Sequence, residues 1–170
     1  MALLGIDETF FLQRAGHTAG GVDGAASRAG AMNQALADLE RPLQAIFADE
    51  ACLHLAHIDA SLAALGEHAA PQAALLLSIQ DALHTLKGAA RAIGLGELEY
   101  LCHAMEQVFA AAAAARVTLT PAQLARLRSA IGVAATLVAP PTGRSRNQAL
   151  ALIGQLDALA RELAAAPPRP

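Results

Sequence analysis

Apolar residues recur along this chain at alternating spacings of three and four, the period of helices that bury one face. Five such stretches follow one another. The first runs from about Ala31 or Pro42 to Leu65, with Phe47, Ala51, Leu55, Ile58, Leu62 and Leu65 in step, and Gly66 closes it. The second starts near Pro71 and carries Ile79, Ala82, Leu83, Leu86, Ala90 and Ile93 before Gly94 and Gly96. The third holds Leu98, Leu101, Met105, Val108, Phe109 and Ala112 and fades around Arg116. Thr120-Pro121 opens the fourth as an N-cap followed by proline at the first helical position. That helix carries Leu124, Leu127, Ile131 and Ala134 and stops before Pro140-Pro141. The fifth, from about Arg144, places Leu150, Ile153, Leu156 and Leu163 on one stripe. Short connections between helices of about 18–23 residues predict an all-α fold. Its expected form is an antiparallel up-down bundle of five helices around a four-helix core.

The ends read differently. Residues 15–30 contain five glycines and no apolar period, which predicts a flexible linker after a short apolar start with Phe10, Phe11 and Leu12. That start fits either a tail or a short docking helix. The final Ala-Pro-Pro-Arg-Pro cannot continue a helix and resembles the opening of a linker. The expected organisation is therefore an extension over 1–40, a bundle domain over 41–165 and a tail over 166–170. Composition agrees with helix. The chain is rich in alanine, the best helix former, and only 3% aromatic.

Charge and cysteine content narrow the function classes. Twelve Lys/Arg against fifteen Asp/Glu give a net charge of −3, which offers no basic field for a nucleic acid. The longest apolar stretches, 108–115 and 130–141, fall short of the ~20 residues that span a bilayer. The opening MALLGIDETFF has no basic n-region and carries Asp7 and Glu8, unlike a secretory signal. Cys52 and Cys102 fit no metal-binding or redox spacing. A cytoplasmic location is expected.

The second helix contains a histidine on the wrong face. With Leu86 as the core direction, Ile79, Ala82, Leu83, Ala90 and Ile93 lie within about 60° of it. His84 lies about 160° away, Gly88 about as far on the other side, and Lys87 and Gln80 at intermediate angles. A solvated surface histidine and an ordinary surface lysine would explain two of these residues. Glycine inside a helix costs about 1 kcal/mol relative to alanine, so its use at position 88 suggests that something approaches closely there. Together these residues make a small nucleophile site: an accessible imidazole, a nearby cation and room for a partner.

His84-x-x-Lys87-Gly88-Ala89-Ala90 with Gly94 resembles the signature of histidine-containing phosphotransfer (HPt) domains. His103 and Glu106 follow His84 by 19 and 22 residues. That spacing is similar to the N-terminal phosphotransfer domain of CheA-type chemotaxis kinases. The stretch from IFADE at 46–50 through Leu65 also resembles that family's first helix, so the similarity covers about 41–165. One departure is Ala89-Ala90, where a serine or second glycine is common; it removes a hydroxyl near the site.

The resemblance implies roles residue by residue. His84 would accept phosphoryl on Nε2, and Glu106 would take a hydrogen bond from His84 Nδ1–H and fix its tautomer. Lys87 would neighbour the phosphoryl oxygens, and His103 would flank the site. Gly88, Gln80 and Arg91 would serve docking. The implied function is a phosphorelay module of the two-component, chemotaxis-type kind, without kinase activity of its own and of the sort found within a CheA-like histidine kinase. Its partners would be a histidine kinase ATP-binding domain and a response-regulator receiver. No cofactor would be bound by the domain itself, with ATP on the kinase and Mg²⁺ on the receiver.

Two other readings compete. A non-catalytic interaction module would share the bundle but has no need of an outward histidine beside a glycine. A metal-binding bundle is suggested by His54 with His57 and by His103 with Glu106, each three apart. Di-iron bundles instead repeat Glu-x-x-His and add inward acids, so no metal ligands are assigned. No G-x-x-x-x-G-K-[ST] loop is present to hold a nucleotide.

Overall fold

The computed structural model describes residues 19–67, 72–139 and 142–165. Among them are five helices and no strand: α1 Ala19–Glu67, α2 Gln72–Ala92, α3 Gly96–Ala115, α4 Pro121–Leu137 and α5 Gly143–Ala165. The all-α bundle expected from periodicity is the fold. Residues 1–18, the Pro71 and Pro140-Pro141 signals and the tail at 166–170 lie outside the described residues. The chain divides into two units, Met1–Leu43 and Gln44–Pro170. The second unit contains every core residue among those described.

The first helix differs from expectation. From Ala19 onward the stretch read as a linker is helical, and Pro42 lies inside the helix rather than at its start. Each glycine there costs about 1 kcal/mol and proline removes one hydrogen bond from the ladder. Extending an existing helix avoids the nucleation cost, however, and alanine-rich sequence favours propagation. Turn composition was outweighed by helix continuity.

The core is organised around α3. Nine of its residues are buried, from Leu98 to Ala115, and Phe109 and Met105 are among the largest side chains fully withdrawn from water. It packs most extensively on α5 and α2, and also touches α4. Leu76, Ile79, Leu83, Leu86 and Ala90 supply the inner face of α2, as the periodicity predicts. Phe47, Ala51, Leu55, Ile58 and Leu62 supply that of α1. On α5 the stripe is shifted: Leu150 is 63% exposed, and Ala149 is buried together with Leu156, Leu159 and Leu163. A small side chain at 149 lets the backbones of α3 and α5 approach, which a leucine there would prevent.

Specific caps fix the helix ends. Gly94 adopts φ +76°, and the bonds Gly94 N–H to Arg91 O (3.2 Å) and Leu95 N–H to Ala90 O (2.9 Å) complete a Schellman motif at the end of α2. The end of α3 repeats this motif around Arg116, a non-glycine residue at φ 52°. Val117 N–H donates to Ala112 O and Arg116 N–H to Ala113 O, while Val117 and Ala112 are both buried. At the start of α4, Thr120 and Gln123 form a reciprocal capping box at 2.8 and 3.3 Å. Thr142 caps α5 by accepting from Ser145 N–H at 3.2 Å.

The two left-handed caps make opposite predictions. Gly94→Ala forces a Cβ into positive φ and is expected to cost about 1 kcal/mol. Arg116→Gly relieves that same penalty and is expected to raise stability by up to about 1 kcal/mol. Urea unfolding monitored by circular dichroism reads both; equal midpoints for Arg116→Gly and the parent would show that the cap is not strained.

Candidate functional site

The site sits on the outer faces of α2 and α3, whose relative position is set by the tight turn at Gly94 and by their shared apolar seam. In an antiparallel pair, a step forward along one helix is a step backward along the other. His84 on α2 therefore meets Glu106 on α3. Two turns nearer the loop, seven residues on in α2 and seven back in α3, Arg91 meets Glu99.

Glu106 is the hub. Its side chain is only 14% exposed and lies at the boundary between core and surface. One oxygen, Oε1, is 3.4 Å from His84 Nδ1. The other, Oε2, accepts a hydrogen bond from Lys87 Nζ and lies 3.6 Å from His103 Nδ1. The four residues singled out from sequence are thus brought together on one carboxylate. The separation of 3.4 Å is longer than the usual 2.7–3.2 Å of an N–H···O bond and within ion-pair range.

Exposure follows the helical angles. His84 is 78% exposed, His103 55% and Lys87 24%. With Nδ1 directed at Glu106, Nε2 is the nitrogen of His84 left facing outward. Gly88 is exposed one turn further on, and a Cβ built there would meet nothing within 4 Å. The fold itself does not require glycine at that position. Gln80 is half-buried and lines a shallow groove with Leu76, Leu77 and Ala112. Arg91 is exposed, but its Nε is held 3.0 Å from Glu99 Oε1.

Sequence reasoning missed two neighbours of this cluster. Glu99 was not identified, although the register that pairs 84 with 106 also pairs 91 with 99. Cys102 had been set aside for want of a metal or redox partner; it lies one turn before Glu106, fully buried. Burial pushes its thiol up to about 12, the Glu106 carboxylate adds to the rise and the Lys87 ammonium opposes it. It is a neutral packing group behind the site, not a nucleophile. The histidines of the metal reading separate: His57 Nε2 is 2.7 Å from Ser78 Oγ, while His54 is half-buried on the turn before. Among the described residues no group of three or more His, Cys, Asp or Glu is placed to hold a metal ion.

A profile of the Hpt domain family matches residues 42–137, more than half of the chain, and the chain belongs to that family. The match begins in α1 and ends at the last residue of α4, so it contains the whole His84 cluster. Histidine phosphotransfer in a phosphorelay, with kinases and response regulators as the classes of partner, is the function of this family. No curated protein and no solved structure matches the chain. Among the described residues, no helix is long and apolar enough to cross a membrane.

The contrast between the two cysteines is measurable. Cys52 is exposed and Cys102 buried, so an aromatic disulfide reagent is expected to titrate one thiol per native chain and two in denaturant. Raising the pH from 7 to about 10 is expected to leave Cys102 silent, because deprotonation of the buried thiol begins only near its raised value of about 12. Rapid native labelling of both would contradict the buried placement.

Proposed function

We propose that His84 is the phospho-acceptor of this Hpt domain, that a histidine kinase ATP-binding domain phosphorylates it, and that a receiver aspartate discharges it. The observation that carries this reading is the 3.4 Å approach of His84 Nδ1 to Glu106 on an imidazole that is otherwise exposed. A neutral imidazole protonated on Nδ1 has its lone pair on Nε2. That pair attacks the γ-phosphorus of ATP, the new N–P bond forms, and the bond to the bridging oxygen breaks as ADP leaves. The ring then carries positive charge with its proton still on Nδ1, and the Glu106 carboxylate stabilises it. In the return step a receiver carboxylate oxygen attacks phosphorus and the N–P bond breaks, restoring neutral His84.

Lys87 has a double position in this scheme. Its ammonium rests on Glu106 before transfer and lies one turn from His84, within range of phosphoryl oxygens once they arrive. His103 flanks the same carboxylate. Gly88 leaves the surface beside His84 low enough for a docked partner, with Gln80 and Arg91 at its margins. ATP belongs to the kinase and Mg²⁺ to the receiver. A CheA-type, chemotaxis-like setting is supported by the 19- and 22-residue spacing of His103 and Glu106 from His84, with both imidazoles within 3.6 Å of the Glu106 carboxylate.

Incubation with a CheA-type kinase core and radiolabelled ATP is expected to give acid-labile, base-stable label on the parent and none on His84→Gln. Label retained by His84→Gln would end the assignment. Glu106→Ala removes a charge-assisted contact worth about 1.5–3 kcal/mol, which corresponds to roughly 10- to 100-fold slower phosphorylation. Its affinity for the kinase is expected to change little. Lys87→Ala is expected to slow transfer to the receiver, because it removes the cation beside the phosphoryl oxygens.

A further inference from the structure

The unit Met1–Leu43 supplies none of the phosphotransfer residues, yet it is helical from Ala19 onward. Every side chain described in it is exposed, including the large apolar Met32 at 63% and Leu43 at 59%. Contrary to the expectation of no apolar period over 15–30, Val22, Ala25, Ala29, Met32, Leu36, Leu39 and Leu43 follow one another at steps of three, four, three, four, three and four. This is a 3.5-residue repeat sustained over three heptads, with Val22, Ala29, Leu36 and Leu43 at a and Ala25, Met32 and Leu39 at d. It is distinct from the bundle face of α1, which starts at Phe47 and uses other register positions.

We propose that this unit is a self-association helix that pairs with the same segment of a second copy of this chain as a parallel, two-stranded coiled coil. Three observations select a second copy. First, a strict 3.5-residue period keeps a narrow seam aligned only with a helix that supercoils around it, whereas a helix laid on a globular surface carries a wider stripe. Second, the flanking positions suit an identical partner. Ala26, Asn33 and Glu40 occupy e, and Arg28, Ala35 and Pro42 occupy g. In a parallel, in-register pair Arg28 faces Asn33 and Ala35 faces Glu40, so no like charges meet across the seam. The glycines at 20, 21, 24 and 30 all fall outside a and d.

Third, the area fits. Five large side chains per copy, at about 60–120 Å² each, bury about 600–1,200 Å² over two copies, to which the alanines and flanking stems add. That reaches the lower edge of specific interfaces, near 1,200 Å², the size range of weak association.

Sedimentation equilibrium of the full chain from about 1 to 200 μM spans such an affinity. The weight-average mass is expected to rise from 17.4 kDa toward twice that value. The double substitution Met32→Glu with Leu43→Glu places charges on two seam positions already exposed in the single chain. It is expected to raise the dissociation constant by at least about 100-fold. Its circular dichroism over the bundle and its phosphoryl uptake are expected to stay at the parent level, which separates this inference from the role of His84. A parent that remains at the single-chain mass throughout the range overturns the proposal. So does a double variant that associates as strongly as the parent.

Discussion

The register between α2 and α3 is the constraint from which the site follows. It is set inside the bundle, where Leu83, Leu86 and Ala90 pack into the buried face of α3, and at the turn, where Gly94 takes a positive φ that other residues resist. Sliding one helix by a single residue would rotate its buried set by about 100° and carry Glu106 away from His84. The apolar core and this turn fix the alignment, and the outer face inherits it.

The chemistry then depends on a graded exposure that the helix geometry supplies. The proposed role needs a nucleophile that a partner can reach, and His84 stands outside the core, 78% exposed. It also needs a fixed tautomer, which solvent alone does not provide. Glu106 resolves this by lying at the boundary, where its carboxylate is partly withdrawn from water and its contacts gain strength. Lys87 balances the charge that this placement would otherwise leave against the core. Cys102 behind it adds no ionisable competitor, since burial keeps its proton on.

Much of this was legible in the sequence, because a helical wheel encodes exposure directly. The angles placed His84 outermost and Lys87 between it and the core, and the side chains follow that order. Pairings between helices were harder to read, since they require the register as well as the period. Arg91 was named for docking, while Glu99, its partner, was passed over. Leu150 was misplaced for a different reason: where leucine and alanine are neighbours, hydrophobicity favours leucine for the core, but close approach of α5 to α3 favours alanine. The glycine-rich stretch misled because residue composition describes local preference and helix continuity is not local.

The same division of labour runs through the sequence of α1. After Pro42, its apolar residues repeat to fit a globular core, with Phe47, Ala51, Leu55 and Ile58 fully engaged. Up to Leu43, the repeat narrows to a seam whose described large side chains, Met32 and Leu43, are exposed. A bundle that buries its own face has no remaining use for a second, differently phased stripe, and an exposed methionine and leucine at that period, Met32 and Leu43, gain from a partner that covers them. Two phases on one helix therefore mark two separate duties: the C-terminal one belongs to the fold that aims His84, and the N-terminal one to assembly. Separating them in this way lets assembly change without moving the register on which the histidine depends.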